Sequence, residues 1–393
     1  GGNEQPDNTM YCEQTDEEIL RYATIFGKNS SGKSYILKAI RDFIFLVESI
    51  PKPNAPMQFY KPFRLSNKTL DKPTVMGMNF VHGGVPYRYV LSYDANYVVE
   101  ESLHHSPNGR MTPVFERHNQ TFNIPRSKSK ALDQITGFTL PNAPFLTVAA
   151  QFNNKICSAA HLFLTRNIMV IGEHYSNLFG HVVKNIAEHP PSKEKMIKAL
   201  TIADFGICDI RGKNEKIKSE DVPPEIRESL GGVNVRDVYR SELSLIHEFK
   251  DADVDKNMLE FPHNIESTGT IQMFCIMGPV IDALENGKIL LIDEFGSSLH
   301  TELSRWIISQ FKAASNPKDA QLIVNTHDLM LIDTDSLLRR DQIMFSDKDV
   351  DTGAATIYRI SDYKGIRKDM DILKSYMAGR FGALPYIDGG DII

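Results

Sequence analysis

The sequence predicts an α/β fold in which a mostly parallel sheet, flanked by helices, is interrupted by a β-rich antiparallel lobe and a helical insertion. Three observations carry this. Ile19–Phe26 (ILRYATIF) is apolar and β-prone and runs straight into a glycine-rich loop, after which Tyr35, Ile36, Ile40, Phe43, Ile44 and Val47 recur at helical spacing. Ile289–Ile292 is a continuous apolar run of the kind that parallel strands show when both faces are buried. Leu322–Val324 is a second short run of this kind, with Leu303, Ile307 and Phe311 marking a helix between the two.

The first helix ends before Pro51 and Pro53. From about Met57 to Ile124 the texture alternates, as in Tyr87–Tyr93, and is broken by Gly83-Gly84 and Pro107-Asn108-Gly109, which predicts antiparallel hairpins. From about Phe145 to Ile202 helical patterns dominate, with Pro190-Pro191 between two of them. Gly212–Pro224 suggests a charged loop and Val238–Phe249 a strand. Thr268–Leu284 predicts a helix bent or broken near Pro279, with Asn286-Gly287 as its stop. The expected division is a first core half over 1–56, a β-rich lobe over 57–144, a helical insertion over 145–260 and a second core half with a C-terminal tail over 261–393.

Composition sets limits on function. The 393 residues, 41% of them hydrophobic, can build one large core or two smaller ones. No apolar run is long enough to span a bilayer, so no membrane association is expected. The polar start at Gly1 argues against a signal peptide and, lacking Met, suggests native residues upstream. Cys12, Cys157, Cys208 and Cys275 form no CxxC pair, which fits a reducing cytoplasm. A net charge of −6 does not indicate nucleic acid as a ligand. Lys193, Lys195 and Lys198 leave a local contact open, although a solvated helix face explains them better.

Four motifs carry chemistry. Gly27-Lys28-Asn29-Ser30-Ser31-Gly32-Lys33-Ser34 fits GxxxxGK[ST], a loop whose N–H groups can curl around a phosphate while the following helix, from Tyr35 on, aims its N-terminus at the anion. In that pattern Lys33 reaches the β/γ oxygens and Ser34 ligates Mg²⁺. Ile289–Ile292 delivers Asp293 and Glu294 to a strand's C-terminal end, where ligands of open α/β sheets sit; Asp293 suits the Mg²⁺ shell and Glu294 the attacking water. Asn325-Thr326-His327-Asp328 follows the second buried run and offers His327 to a γ-phosphate. Glu266-Ser267-Thr268-Gly269-Thr270 opens a helix with the Ser hydroxyl and Gly backbone of an anion site.

Taken in order, these motifs resemble an ABC-type ATPase. That resemblance implies ATP and Mg²⁺ as cofactors, a head-to-tail homodimer or higher homo-oligomer, and Ser267 and Gly269 serving the P-loop of a second subunit. Phe295–His300 (FGSSLH) then corresponds to the D-loop, and Gln151 to the Q-loop, a helix-surface glutamine being the equal alternative. The opening Glu266-Ser267-Thr268-Gly269-Thr270 departs from the Leu-Ser-Gly-Gly-Gln of transporters, and the family's first strand upstream of the P-loop is not evident.

A narrower resemblance lies in YATIFGKNSSGKS, ALTIADFGICDI, NIESTGTIQMF, ILLIDEFGSSLH, NTHDLMLID, LLRRDQIMF and KSYMAGRFGALP. These segments are similar to the OLD-like, SMC-like AAA group, nearest the AbiLi/RloA-type ATPase subunits of bacterial abortive-infection systems. It implies a defence role with a separate effector, a nuclease or toxin of the RloB-like kind. An SMC-like DNA-repair ATPase and a transporter motor are the rivals; the first wants long heptad arms and the second a Leu-Ser-Gly-Gly-Gln signature. Asp347–Asp351 could pass for a nuclease cluster, but Asp351-Thr352-Gly353 between two β-prone runs predicts a hairpin. Arg339-Arg340 suggests a surface ion pair. Tyr376, Arg380, Phe381 and Tyr386 are of the types that anchor interfaces, which makes the tail either a docking segment for a partner or a part of the core.

Overall fold

A computed structural model describes residues 5–172, 174–203, 205–217, 238–251, 254–333, 336–367 and 370–384. A hairpin of β1 (Thr9–Cys12) and β2 (Glu17–Leu20) forms its own two-stranded sheet ahead of β3 (Tyr22–Phe26). The single expected strand over Ile19–Phe26 is thus broken at Arg21. At that position the buried Arg21 guanidinium donates from Nε to Thr9 O at 3.0 Å and pairs with the distant Asp319, contacts that a continuous strand with an apolar residue here would lack.

After the P-loop comes a helix over Lys33–Glu48. Strands β4 (Thr74–His82), β5 (Val85–Tyr93), β6 (Val98–His105), β7 (Thr112–His118) and β8 (Thr121–Asn123) then form an antiparallel meander. Helices Phe145–Gln151 and Lys155–Arg166 lead into β9 (Ile168–Ile171). Helices Phe179–Glu188 and Pro190–Ile202 precede a three-stranded antiparallel sheet of β10 (Ile207–Ile217), β11 (Val238–Asp251) and β12 (Val254–Pro262).

The insertion is therefore helical first and stranded after. β10 occupies Gly212–Ile217, where the sequence suggests a loop; residues 218–224 lie outside the described residues. The physical reason is that Lys213, Asn214 and Glu215 face Glu242, Ser241 and Arg240 across the ladder, so polar cross-strand pairs replace the apolar alternation that marks a strand. Helix Thr268–Asn286 follows and runs unbroken through Pro279 to a left-handed Gly287.

Strands β13 (Ile289–Ile292), β14 (Gln321–Asn325), β15 (Ile343–Lys348) and β16 (Ala355–Arg359) complete a six-stranded sheet of order β16-β15-β3-β14-β13-β9. Only β16 is antiparallel to its neighbour, and the β15–β16 hairpin confirms Asp351-Thr352-Gly353 as its turn. Helix Thr301–Ser309 links β13 to β14.

The strand period of two separates the cores on the two faces of this sheet. Tyr22, Phe26, Leu290, Ile292, Leu322, Val324, Ile343 and Phe345 enter one core, with helix Thr268–Asn286. Ile25 and Leu291 enter the other, with the P-loop helix and the β-rich lobe. Arg117 and Glu101, both fully buried, lock that lobe to helix Phe145–Gln151. Glu101 accepts the Phe145 and Leu146 N–H groups at 2.6 and 2.8 Å, and the Arg117 guanidinium approaches it at 3.3 Å.

The expected tail has two outcomes. Tyr376 and Phe381 are buried against Phe345, which stacks on Tyr376 at 4.6 Å between ring centroids. They therefore belong to the core and cannot anchor a partner. Arg380 donates to Gly365 O, and Tyr386 lies outside the described residues. Arg339 is also not a surface residue: it is 8% exposed and pairs with Asp341 at 2.8 Å. Lys193 and Lys195 are paired with Asp209 and Glu285.

Candidate nucleotide site

The C-terminal ends of β3, β13 and β14 come together because the three strands are parallel and in register, Ile292 facing Val324 and Asn325 facing Ile25. All chemistry-bearing loops therefore leave the same edge of the sheet. A cleft of about 360 Å³ forms there, lined by Asn29–Tyr35 of the P-loop and by Glu294, Asn325 and His327.

The P-loop is shaped from below. Gly27 has φ +153°, and a Cβ there would fall 2.4 Å from the Ser346 carbonyl oxygen. Gly32 has φ +105°, with a Cβ position 2.6 Å from that of Ala355. Strands β15 and β16 thus press on the loop from outside, and only glycine fits at either end. Ser346 Oγ donates to Ser31 O at 2.9 Å. Within the loop, Lys33 Nζ donates to Gly27 O at 2.7 Å and Lys28 O at 3.0 Å. Burial lowers the Lys33 pKa from its ordinary value, against the opposing pull of Asp293 and Glu294.

Lys28 departs from the expected cleft-lining role. Its side chain pairs with Asp347 on β15 at 3.1 Å, and its N–H donates to Ala383 O at 3.1 Å. Tyr35 is on the cleft wall with 76% of its surface exposed.

Asp293 is 1% exposed and receives the Ser34 hydroxyl at 2.9 Å on Oδ1. Its Oδ2 is buried and has no hydrogen-bond partner among the described residues. An orphaned carboxylate oxygen beside a hydroxyl is the donor set a hard divalent cation takes, so Ser34 and Asp293 fit Mg²⁺. Tyr175, which sequence reasoning missed, donates its hydroxyl to Asp293 O at 2.5 Å. Burial, followed by the nearby Asp293 and Glu294 charges, raises its pKa well above normal, so it remains a donor.

Glu294 and His327 face the same cleft. Burial in the cleft wall and then the Lys33 ammonium push the His327 imidazole below its ordinary pKa, against the opposing pull of Glu294 and Asp293, which favours the neutral ring.

Ser267 caps helix Thr268–Asn286, its Oγ accepting the Thr270 N–H at 3.1 Å, but it is exposed and does not line the cleft of its own chain. Gly269 lies against the D-loop: a Cβ there would be 3.1 Å from Ser298 O. Gln272 Nε2 bonds Ser297 Oγ at 3.4 Å. Gln151 is exposed at the end of its helix and is not among the residues lining the cleft. Besides Tyr175, two contributors went unassigned at the sequence level: Asn325, although its motif was legible, and Asp347, which was legible only as part of an acidic hairpin.

A glycine loop on a strand–helix turn, facing an acidic strand end across a parallel sheet, defines an ABC-type P-loop ATPase. The chain belongs to the family described as "AAA domain, putative AbiEii toxin, Type IV TA system", which matches residues 23–333. Among solved structures it is similar to the SMC head domain from Thermotoga maritima, with 13% identity, TM-score 0.36 and coverage of 89% of this chain and 96% of the other. It is also similar to the recombination mediator protein RecF-ATPrS in the RecFOR pathway, with 12% identity, TM-score 0.29 and coverage of 89% and 96%. No curated relative matches the sequence.

Proposed function

We propose that this chain is the ATP-binding and ATP-hydrolysing regulator of a bacterial anti-phage, abortive-infection system, working as an ATP-sandwich dimer that controls a separate nuclease or toxin. The observation that carries the dimer is the position of Ser267: a capped, exposed hydroxyl at a helix N-terminus that does not line its own cleft. A second copy turned head to tail would bring it to the other P-loop. The family description, with its toxin and type IV toxin–antitoxin terms, supports the defence role.

In this mechanism the P-loop N–H groups and Lys33 hold the phosphates. Glu294 orients and deprotonates the attacking water. Neutral His327 contacts the γ-phosphate, and Ser267 of the second copy closes over it. Ser34 and Asp293 would hold Mg²⁺, which would supply charge neutralisation for the bound phosphates. Closure and opening of the dimer would be the signal passed to a cytoplasmic effector.

The test is a phage challenge of bacteria carrying the chain with its neighbouring gene. Lys33→Ala should abolish protection, and the purified chain alone should degrade neither DNA nor RNA. Full protection by Lys33→Ala would sink the regulator reading. ATPase activity stimulated about tenfold or more by DNA would instead favour an SMC-like repair ATPase.

A further inference from the structure

One residue of β14 holds three successive residues at the end of β13. Asn325 is 1% exposed. Its Nδ2 donates to Asp293 Oδ1 at 2.6 Å, and its Oδ1 accepts the Glu294 N–H at 2.7 Å. Its main-chain oxygen accepts the Phe295 N–H at 2.9 Å. The amide has only one orientation here, since its donor end must meet the carboxylate and its acceptor end the N–H.

Glu294 has φ +52°, a left-handed conformation that costs a non-glycine residue about 1 kcal/mol and persists only where the surroundings enforce it. The enforcement has a use. In an extended strand, successive side chains point to opposite faces, so Asp293 and Glu294 could not both serve one cleft. The left-handed turn at Glu294 breaks that alternation. Asp293 then meets the Ser34 hydroxyl while Glu294 lines the wall with Asn29 and His327.

We infer that Asn325 is a positioning residue for hydrolysis, which sets the Asp293 carboxylate and the Glu294 turn as one unit and so fixes the general base relative to the metal ligand. This rests on the ATPase reading given above. Asn325 sits on the cleft wall, but both ends of its amide are taken up by these two residues. Thr326 supports the arrangement from the next position: its N–H donates to Ile25 O at 3.1 Å and its hydroxyl to Phe295 O at 2.8 Å, which ties the β13 end to the β3 strand that feeds the P-loop.

The experiment compares Asn325→Ala and the similarly sized Asn325→Leu in the wild-type and Glu294→Gln backgrounds. Binding of a fluorescent ATP analogue in EDTA should weaken less than kcat does, because the Lys33 bonds within the phosphate loop do not involve Asn325. With saturating ATP and Mg²⁺, kcat should fall about 10- to 100-fold, the size of effect a misplaced catalytic group produces. In Glu294→Gln the same substitutions should cost several-fold less than in the wild type, since one of the two groups they position is already gone.

Equal losses in the two backgrounds, a wild-type kcat, or a loss of binding that parallels the loss of rate would each overturn the proposal. A wild-type rate in Glu294→Gln alone would instead overturn the site assignment, a separate and recognisable failure. If the apolar variants do not fold, Asn325→Asp keeps the shape and the acceptor for the Glu294 N–H but sets a carboxylate against Asp293. It should then shift half-saturation by Mg²⁺ at least about threefold, and an unmoved Mg²⁺ dependence at wild-type kcat overturns the proposal.

Discussion

The ammonium of Lys28 and the carboxylate of Asp347, 3.1 Å apart, join the P-loop to β15, the strand beside β3, and, through it, to the end of the described chain. Asp347 Oδ2 also accepts the Ala383 N–H at 3.1 Å, and Ala383 O accepts the Lys28 N–H. Three segments meet in this clasp. Burial alone would raise the Asp347 pKa, but the N–H groups of Lys348 and Ala383 and then Lys28 outweigh it and hold it below the usual value.

Asp347→Asn should therefore destabilise the protein by about 1–2 kcal/mol at pH 7, read as a lower urea midpoint. A carboxylate depressed in the folded state stabilises above its unfolded pKa, about 3.9, and loses that contribution as pH falls through the folded value. The difference between wild type and variant should thus be full at neutral pH and shrink below about pH 4. A difference that does not change with pH would mean that the charge is not what holds the clasp.

Glu294→Gln should retain ATP binding and lose at least about a hundredfold in turnover, the contribution of a positioned general base. Phosphate release measures the rate, and light scattering measures whether the ATP-bound dimer accumulates. Wild-type turnover in this variant would remove Glu294 from the mechanism.

The His327 ring should titrate below its ordinary value of about 6.5 in the nucleotide-free protein, and its midpoint should rise in Lys33→Ala, where the repelling ammonium is gone. The sign follows from linkage: protonation is disfavoured in the folded state, so the neutral ring stabilises above about pH 6.5 and that contribution is lost as pH falls. NMR of the imidazole C2 proton reads both midpoints. A midpoint above 6.5 in the wild type, or no rise in Lys33→Ala, would contradict the cleft geometry.

What the sequence revealed was what local rules encode. Gly27 and Gly32 stand out in any strand–loop–helix, and Ile289–Ile292 and Leu322–Val324 are apolar because both sheet faces are covered. The contacts that finish the site are made across strands. Nothing near Asn325 in sequence says that its amide will meet Asp293 and Glu294, because that pairing exists only once β13 and β14 are in register. Strand β10 was hidden by its charged cross-strand pairs. Tyr376 and Phe381 left two readings open because the residue types that anchor interfaces are the same ones that fill a core around Phe345.

Ser267→Arg and Lys33→Ala, each inactive alone, should recover activity when mixed. Ser267 is exposed and is absent from the cleft that Lys33 lines in the same chain. In a head-to-tail pair, one composite site then draws its P-loop from one subunit and its signature hydroxyl from the other. A mixed dimer of the two variants contains one site with both groups intact and one with both spoiled. Random pairing would give about a quarter of wild-type turnover, and because Ser267→Arg does not pair with itself, an equal mixture should regain between about a quarter and about half. Ser267→Arg by itself should bind ATP normally as a monomer, since the substitution lies outside its own cleft, and should fail to form the ATP-dependent dimer. The readouts are phosphate release from the mixture and, to prove that subunits exchange, co-purification through a tag on one variant only. Mixed dimers that form and remain inactive would refute a site shared between two copies.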